Sequence, residues 1–261
     1  MLKQQNQVEE GRRDWVGLQR WYREPLGRLF GKAEYAILEG ILPFLFGYHL
    51  VTLGMPLDQD LLALSSISHR CRLDEVWPPS DVQLDLLAEP AYLPIASDCI
   101  DVVVLPHVLE FVTEPHAVLR EVDRIMIPEG HVIILGFNPL SFWGLWRLLR
   151  ARRGLAPWDA RFFSVTRVRD WLALLGFDTI SVQYCFYRPP LKRASLLRRL
   201  AFLERLGGKW WAFGGGGYVL LAKKRVSTLT LVRPRWQSSR HLLGGEIAGG
   251  ASRRCHRDRS R

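Results

Sequence analysis

The spacing of apolar residues changes at Tyr48. Residues 12–47 read as a helical lead-in carrying the aromatics Trp15, Trp21, Tyr22 and Phe30. From Tyr48 onward, short β-type runs alternate with helical stretches. The first run, Tyr48–Leu53, closes on Gly54, and His69–Leu73 and Val82–Asp85 predict a second and a third strand. The clearest is Ile100-Asp-Val-Val-Val-Leu105, a continuous apolar run of the kind buried in a sheet covered on both faces. Thr113 is the predicted N-cap of a helix through Ile127, because Val118, Leu119, Val122, Ile125 and Met126 fall on one side. Pro128-Glu-Gly130 ends that helix and Val132–Leu135 forms the next strand. Strand, helix and strand in this order make a right-handed crossover, so the pattern predicts an α/β fold with a doubly wound, mostly parallel sheet. Val168, Trp171, Leu172 and Leu175 mark a further helix stopped by Gly176, and late strands are expected at Thr179–Tyr187 and Tyr218–Ala222.

Composition narrows the class without naming a chemistry. Of 261 residues, 48% are hydrophobic and 24% charged, the profile of a packed globular chain rather than a disordered or fibrous one. The four cysteines, at 71, 99, 185 and 255, form no CxxC pair. A zinc knuckle, a redox dithiol and a secreted disulfide scaffold are therefore not expected, and no His/Cys/carboxylate cluster has metal-ligand spacing. Met1–Glu10 lacks the apolar core of a signal peptide, and the most apolar stretch, Ala36–Gly54, is interrupted by Glu39, Pro43 and His49. The expectation is a cytoplasmic protein. Its net charge of +10 is concentrated at the end, where Arg233–Arg261 contains eight arginines against Glu246 and Asp258. The expected organisation is a helical extension over 1–47, an α/β domain over 48–225 and a basic, disordered tail over 226–261. That tail is either a solvated end or an electrostatic arm for nucleic acid or an anionic membrane.

In an open parallel sheet, ligands bind beyond the carboxyl ends of the strands. Candidate chemistry is therefore sought after Leu53, after Leu73, around Asp85, at Leu105–Glu110 and at Gly136–Asn138. The run from Leu93 to Phe111, followed by Glu114 to Pro139, resembles the middle of a class I S-adenosylmethionine-dependent methyltransferase of the type 11 family. The resemblance extends from about Trp15 to Arg235, toward a bacterial branch with a Trp-rich start, a Gly-Phe-Asn-Pro turn and a basic tail. It implies a seven-stranded Rossmann-like sheet and S-adenosylmethionine as cofactor.

The resemblance also implies roles for particular residues. Family members carry an acidic residue and Gly-x-Gly-x-Gly after the first strand, where glycines let the backbone approach the cofactor. Here the stretch reads Leu53-Gly-Met-Pro-Leu-Asp58, retaining only Gly54, and Pro56 removes an N–H and fixes φ. Asp74, 20 positions beyond Gly54, stands where a carboxylate would hold the ribose hydroxyls. Asp85 and the backbone of Leu86 are the counterparts of adenine contacts, though Glu89–Tyr92 stretches the usual spacing. Leu105 ends the fourth strand beside the cofactor, and His107 and Glu110 follow it toward the sulfonium and the acceptor. A histidine there is the candidate base for an acceptor proton, against the alternative of a strand cap. Asn138, restricted by Pro139, is expected to project into the cleft as a substrate contact.

Three further segments invite a reading. Phe142–Arg153 mixes bulky apolar residues with four arginines, which suits a lid packed on the sheet, a membrane-surface helix or a single-strand nucleic-acid contact. Gly214–Gly217 lacks the Lys-Ser or Lys-Thr of a phosphate loop and reads as a flexible connector. No GxGxxG opens the first helix, which disfavours a dehydrogenase. The functional expectation is a methyltransferase acting on a small-molecule acceptor. The alternatives are a non-catalytic binding protein of the same fold and a nucleic-acid-associated methyltransferase. The catalytic reading requires the hollow above the sheet to admit an adenosyl group; Met55, Pro56 or a neighbouring side chain plugging it is the observation that overturns that reading.

Overall fold

The computed structural model describes residues 15–54, 60–75, 84–150, 157–190, 199–200, 204 and 213–225. Seven strands run in chain order as β1 (His49–Leu53), β2 (His69–Asp74), β3 (Leu86–Leu87), β4 (Ile100–Pro106), β5 (Met126–Phe137), β6 (Phe177–Cys185) and β7 (Gly217–Lys224). They form one sheet in the order β3-β2-β1-β4-β5-β7-β6. β1 to β5 are parallel, and β7 runs antiparallel to both β5 and β6. The order reverses between β1 and β4, which opens a crevice at their carboxyl ends.

The central strands are sheet-forming because they are apolar on both faces. Val102 to Leu105 and Val132 to Leu135 are all buried. Between β4 and β5 lie a short helix α3 (Val108–Phe111) and helix α4 (Pro115–Ile125), which buries Val118, Leu119, Val122 and Ile125. Pro115, not Thr113, opens α4, with Glu114 as its N-cap: the fixed φ of proline is already helical and its missing N–H costs nothing there. The helix ends at Ile125 because Met126 is already extended and enters β5. β3 sits at Leu86–Leu87 instead of Val82–Asp85; Val82 and Gln83 lie outside the described residues.

The lead-in consists of helix α1, over 15–22, and helix α2 (Pro25–Glu39). The turn between them is tight, since a methyl group at Gly27 would lie 2.1 Å from the Trp21 carbonyl oxygen. Trp15, Leu18, Trp21, Tyr22, Phe30 and Leu38 are buried in the same core as the strands, so the lead-in is part of the domain's packing. Helix α5 (Phe142–Arg150) follows β5, and α6 (Val165–Leu174), capped by the Ser164 hydroxyl, precedes β6. Among the described residues no helix is long and apolar enough to cross a membrane.

Candidate active site

The crevice at the ends of β1 and β2 is built from Gly54 and Asp74. Gly54 takes φ +71°, a left-handed conformation that ordinary side chains disfavour, and its N–H donates to the Leu73 carbonyl at 2.6 Å. That bond ties the end of β1 to the end of β2. Asp74 is buried; its Oδ1 accepts from the Glu75 N–H at 2.8 Å, and its Oδ2 accepts from the indole Nε1–H of Trp15 at 3.3 Å. The same indole packs against Gly54, where a methyl group would sit 2.5 Å from its Cζ2. Phe111, just past β4, meets the indole edge-on at 5.7 Å. The hollow is therefore filled by the protein's own ring, which is the plugging that speaks against catalysis for as long as the ring stays in place.

Its chemistry fits an adenosyl group. The missing Cβ at Gly54 lets a ring approach the backbone closely, and the buried carboxylate at Asp74 is met by a ring-borne donor. A ribose offers two such donors to one carboxylate. The remainder of the loop, including Met55, Pro56 and Asp58, lies outside the described residues.

A second group of polar side chains lies past β4, entirely out of solvent. His107, itself at φ +60°, has its Nδ1 at 2.9 Å from Glu110 Oε2 and its Nε2 at 2.8 Å from Glu34 Oε1. Glu34 Oε2 also accepts from the Tyr22 hydroxyl at 2.8 Å, and Glu110 Oε1 accepts from the Phe137 backbone N–H. Burial acts to lower the affinity of His107 for its proton, but Glu110 and Glu34 overcome it and push the pKa up to about 10. Burial raises the Glu110 carboxyl, and burial together with Glu34 raises the Tyr22 hydroxyl, which stays a donor. His107 is thus an imidazolium with both nitrogens engaged, packed 4.2 Å from the Phe137 ring. The expectation of a base facing the acceptor is corrected on physical grounds: this ring has no lone pair to offer. Glu110, expected as a substrate contact though more as a helix-start or ion-pair residue than as a base, turns inward and pairs with the same ring. Together they pin α2 to the end of β4.

Asn138 also turns inward. Its Nδ2 donates to the carbonyls of Phe213 at 2.7 Å and Gly215 at 2.9 Å, its N–H to that of Gly216 at 2.9 Å, and its Oδ1 accepts from the Leu140 N–H at 3.0 Å. It braces the glycine run instead of projecting into the cleft. That run is closely packed, contrary to a flexible connector: methyl groups at Gly216 and Gly217 would lie 2.6 Å from Trp143 and from Phe30 respectively.

The other expected contacts are dispersed. Asp85 is exposed and its carboxylate accepts from the Arg72 N–H at 2.8 Å, closing β2 onto the chain entering β3. Leu86 pairs with Leu73 at the sheet edge and is partly exposed, adjacent to the Asp74–Leu87 pair. Leu105 is wholly buried. Trp15, Glu34 and Tyr22 were not anticipated. Glu34 did carry a signal: it stands at four-residue spacing between Phe30 and Leu38, a carboxylate on an apolar helical stripe.

Sheet order, the reversed seventh strand and a crevice bounded by Gly54 and Asp74 define a Rossmann-like methyltransferase fold. A family model described as a methyltransferase domain matches residues 57–134. The chain is 31% identical over 237 residues to the uncharacterized protein YafS of Escherichia coli, covering 91% of this chain and 92% of that one. It is 28% identical to the uncharacterized protein Rv2003c of Mycobacterium tuberculosis over 68% of this chain and 63% of that protein. Among solved structures, a methyltransferase of Thermotoga maritima matches 79% of this chain and 93% of its own with a TM-score of 0.54 at 18% identity. One of Mesorhizobium loti matches 74% and 98% with a TM-score of 0.51 at 16% identity. The chain belongs to the class I S-adenosylmethionine-dependent methyltransferases.

Proposed function

We propose that this protein transfers a methyl group from S-adenosylmethionine to a small-molecule acceptor, from a cofactor site that Trp15 closes in the state described. The observation that carries this reading is the pairing of Gly54 with Asp74 across a space the size of an aromatic ring. Asp74 would accept from the ribose hydroxyls, and Gly54 would leave its face open to the ring system. A bound sulfonium supplies an activated methyl group, so the protein's share is to hold donor and acceptor in line at ~3–3.5 Å. The quartet Tyr22–Glu34–His107–Glu110 supports that geometry by fixing the floor between α2 and β4.

The Trp15 contact is the point on which entry depends. Its bond to Asp74, at 3.3 Å, is long for N–H···O, and a ribose would replace one bond by two. Withdrawing one indole then exchanges one ring for another.

A second reading, a methyltransferase-fold binding protein without catalysis, is favoured by that same indole together with the loss of all but one glycine after β1. Calorimetric titration with S-adenosylhomocysteine separates the two. Binding that is strengthened by Trp15→Ala supports the enzyme; no binding by either form supports the binding protein. The Arg-rich segment 233–261 lies outside the described residues, and a role in nucleic-acid contact is tested by salt-dependent RNA or DNA binding of the full chain.

A further inference from the structure

The two strands that lead to Gly54 and Asp74 at their carboxyl ends begin with His49 and His69 at their amino ends. In the parallel ladder between β1 and β2 these two histidines are register partners. Paired residues of neighbouring strands project from the same face of a sheet, and here the two imidazoles meet. Their Nδ1 atoms are 3.1 Å apart, and the rings stand nearly perpendicular, at 80° between planes and 4.9 Å between centroids. His69 is exposed and His49 half-buried, so solvent reaches the pair. The length of β1, roughly 13 Å, separates it from the crevice at Gly54.

The surroundings hold this pair in place. Asp101 Oδ2 accepts from the N–H groups of Tyr48 at 2.9 Å and His49 at 2.8 Å, which fixes the entry to β1. Arg70, the cation next to His69 in the chain, alternates to the other face of the strand. Its Nε donates to the Ile67 carbonyl at 2.8 Å and its Nη1 to the Leu62 carbonyl at 2.7 Å, so that guanidinium is engaged elsewhere.

A hydrogen bond between two solvated imidazoles contributes little, because water offers each ring the same. The spacing of the nitrogens fits a different partner. An imidazole nitrogen binds a transition ion at about 2.0–2.1 Å, so two nitrogens 3.1 Å apart subtend about 95–102° at a shared ion. That angle lies between those of octahedral and tetrahedral sites, and imidazole is the ligand that zinc, copper and nickel favour. We infer that His49 and His69 form a two-nitrogen site for a divalent transition-metal ion of this class. Each ring keeps its proton on Nε2 and offers the Nδ1 lone pair. Among the described residues no group of three His, Cys, Asp or Glu is placed to hold a metal, so water completes the coordination. The ion is therefore exchangeable, unlike the ion of a closed four-ligand structural site. The two histidines are 20 positions apart, and only the strand register brings them together.

The test is calorimetric titration of the full chain with Zn2+, Ni2+, Cu2+ and Mg2+, beside electron paramagnetic resonance of the Cu2+ form. Cu2+ is expected to bind more tightly than Ni2+ or Zn2+, and Mg2+ not to bind. The Cu2+ spectrum is expected to show coupling to two imidazole nitrogens. His49→Gln and His69→Gln are each expected to weaken Zn2+ binding about tenfold or more, and to melt like the wild type without metal. His116→Gln, whose ring lies against Trp171, is expected to leave binding unchanged. Undiminished binding in both His49→Gln and His69→Gln would overturn the inference, moving the ion to other histidines such as His241 or His256. A wild-type Cu2+ spectrum without nitrogen coupling would overturn it even if a variant folds poorly, as would failure of the wild type to bind any of the three transition ions.

Discussion

The indole of Trp15 and the carboxylate of Asp74 are joined by a 3.3 Å hydrogen bond across the mouth of the sheet, 59 residues apart in sequence. The bond sets the first helix against the end of β2. On the function proposed above it also places an aromatic ring where the cofactor's ribose would lie, so access and affinity there would be coupled to one side chain.

Trp15→Ala is expected to tighten S-adenosylhomocysteine binding at least tenfold while lowering the stability of the ligand-free protein. The first effect follows because apparent affinity scales with the open fraction. The second follows because truncating a buried Trp costs about 3–5 kcal/mol. Calorimetric titration and thermal melts, run with and without ligand, read both.

Gly54→Ala strains the backbone at φ +71° and drives a methyl group into the Trp15 ring. The conformational part alone costs about 1–2 kcal/mol. A double-mutant cycle with Trp15→Ala is expected to be non-additive, because the steric part vanishes once the indole is gone. Denaturant unfolding of the four proteins measures the coupling.

His107→Gln removes a cation from between two buried carboxylates and is expected to destabilise the fold by about 3–5 kcal/mol. The effect depends on pH. The folded pKa of His107, about 10, lies above its ordinary 6.5, so its contribution is complete below pH 6.5 and is lost as pH rises toward 10. The stability difference between wild type and variant should shrink over that window, by at most about 1.4 kcal/mol per pH unit. A difference that is constant from pH 6 to 9 would remove the imidazolium from the account.

Asn138→Ala leaves the part-buried carbonyl of Phe213 and the buried carbonyl of Gly215 without their donor and is expected to cost about 1–3 kcal/mol. Because the amide braces the glycine run rather than facing the crevice, S-adenosylhomocysteine affinity should change less than threefold. Melting curves and titration of the same sample check both halves.

The central sheet was legible because its strands are apolar on both faces and need no partner to be recognised: 100–105 and 132–135 fall within β4 and β5. Helix ends were less so, since Thr113 and Pro115 both carry start signals and the proline's preset φ prevailed. β3 was displaced because two residues of pairing with β2 give almost no periodicity to read. Of the candidate site, the placement of Gly54 and Asp74 at the ends of β1 and β2 was legible from the strand pattern. The orientations of His107, Glu110 and Asn138 were not, because their partners Glu34, Phe137 and Gly215 come from distant segments. A polar residue beside a strand end serves the cleft or the core equally well in sequence. The Trp15 contact was hidden for the same reason.

The central claim is that the Gly54–Asp74 hollow is a cofactor site closed by a displaceable ring. Titration of S-adenosylhomocysteine into wild type, Trp15→Ala and Asp74→Asn tests it most directly. The account predicts measurable binding to wild type, at least tenfold tighter binding to Trp15→Ala, and binding weakened at least tenfold in Asp74→Asn. Absence of binding to Trp15→Ala, in protein shown to be folded, would contradict it.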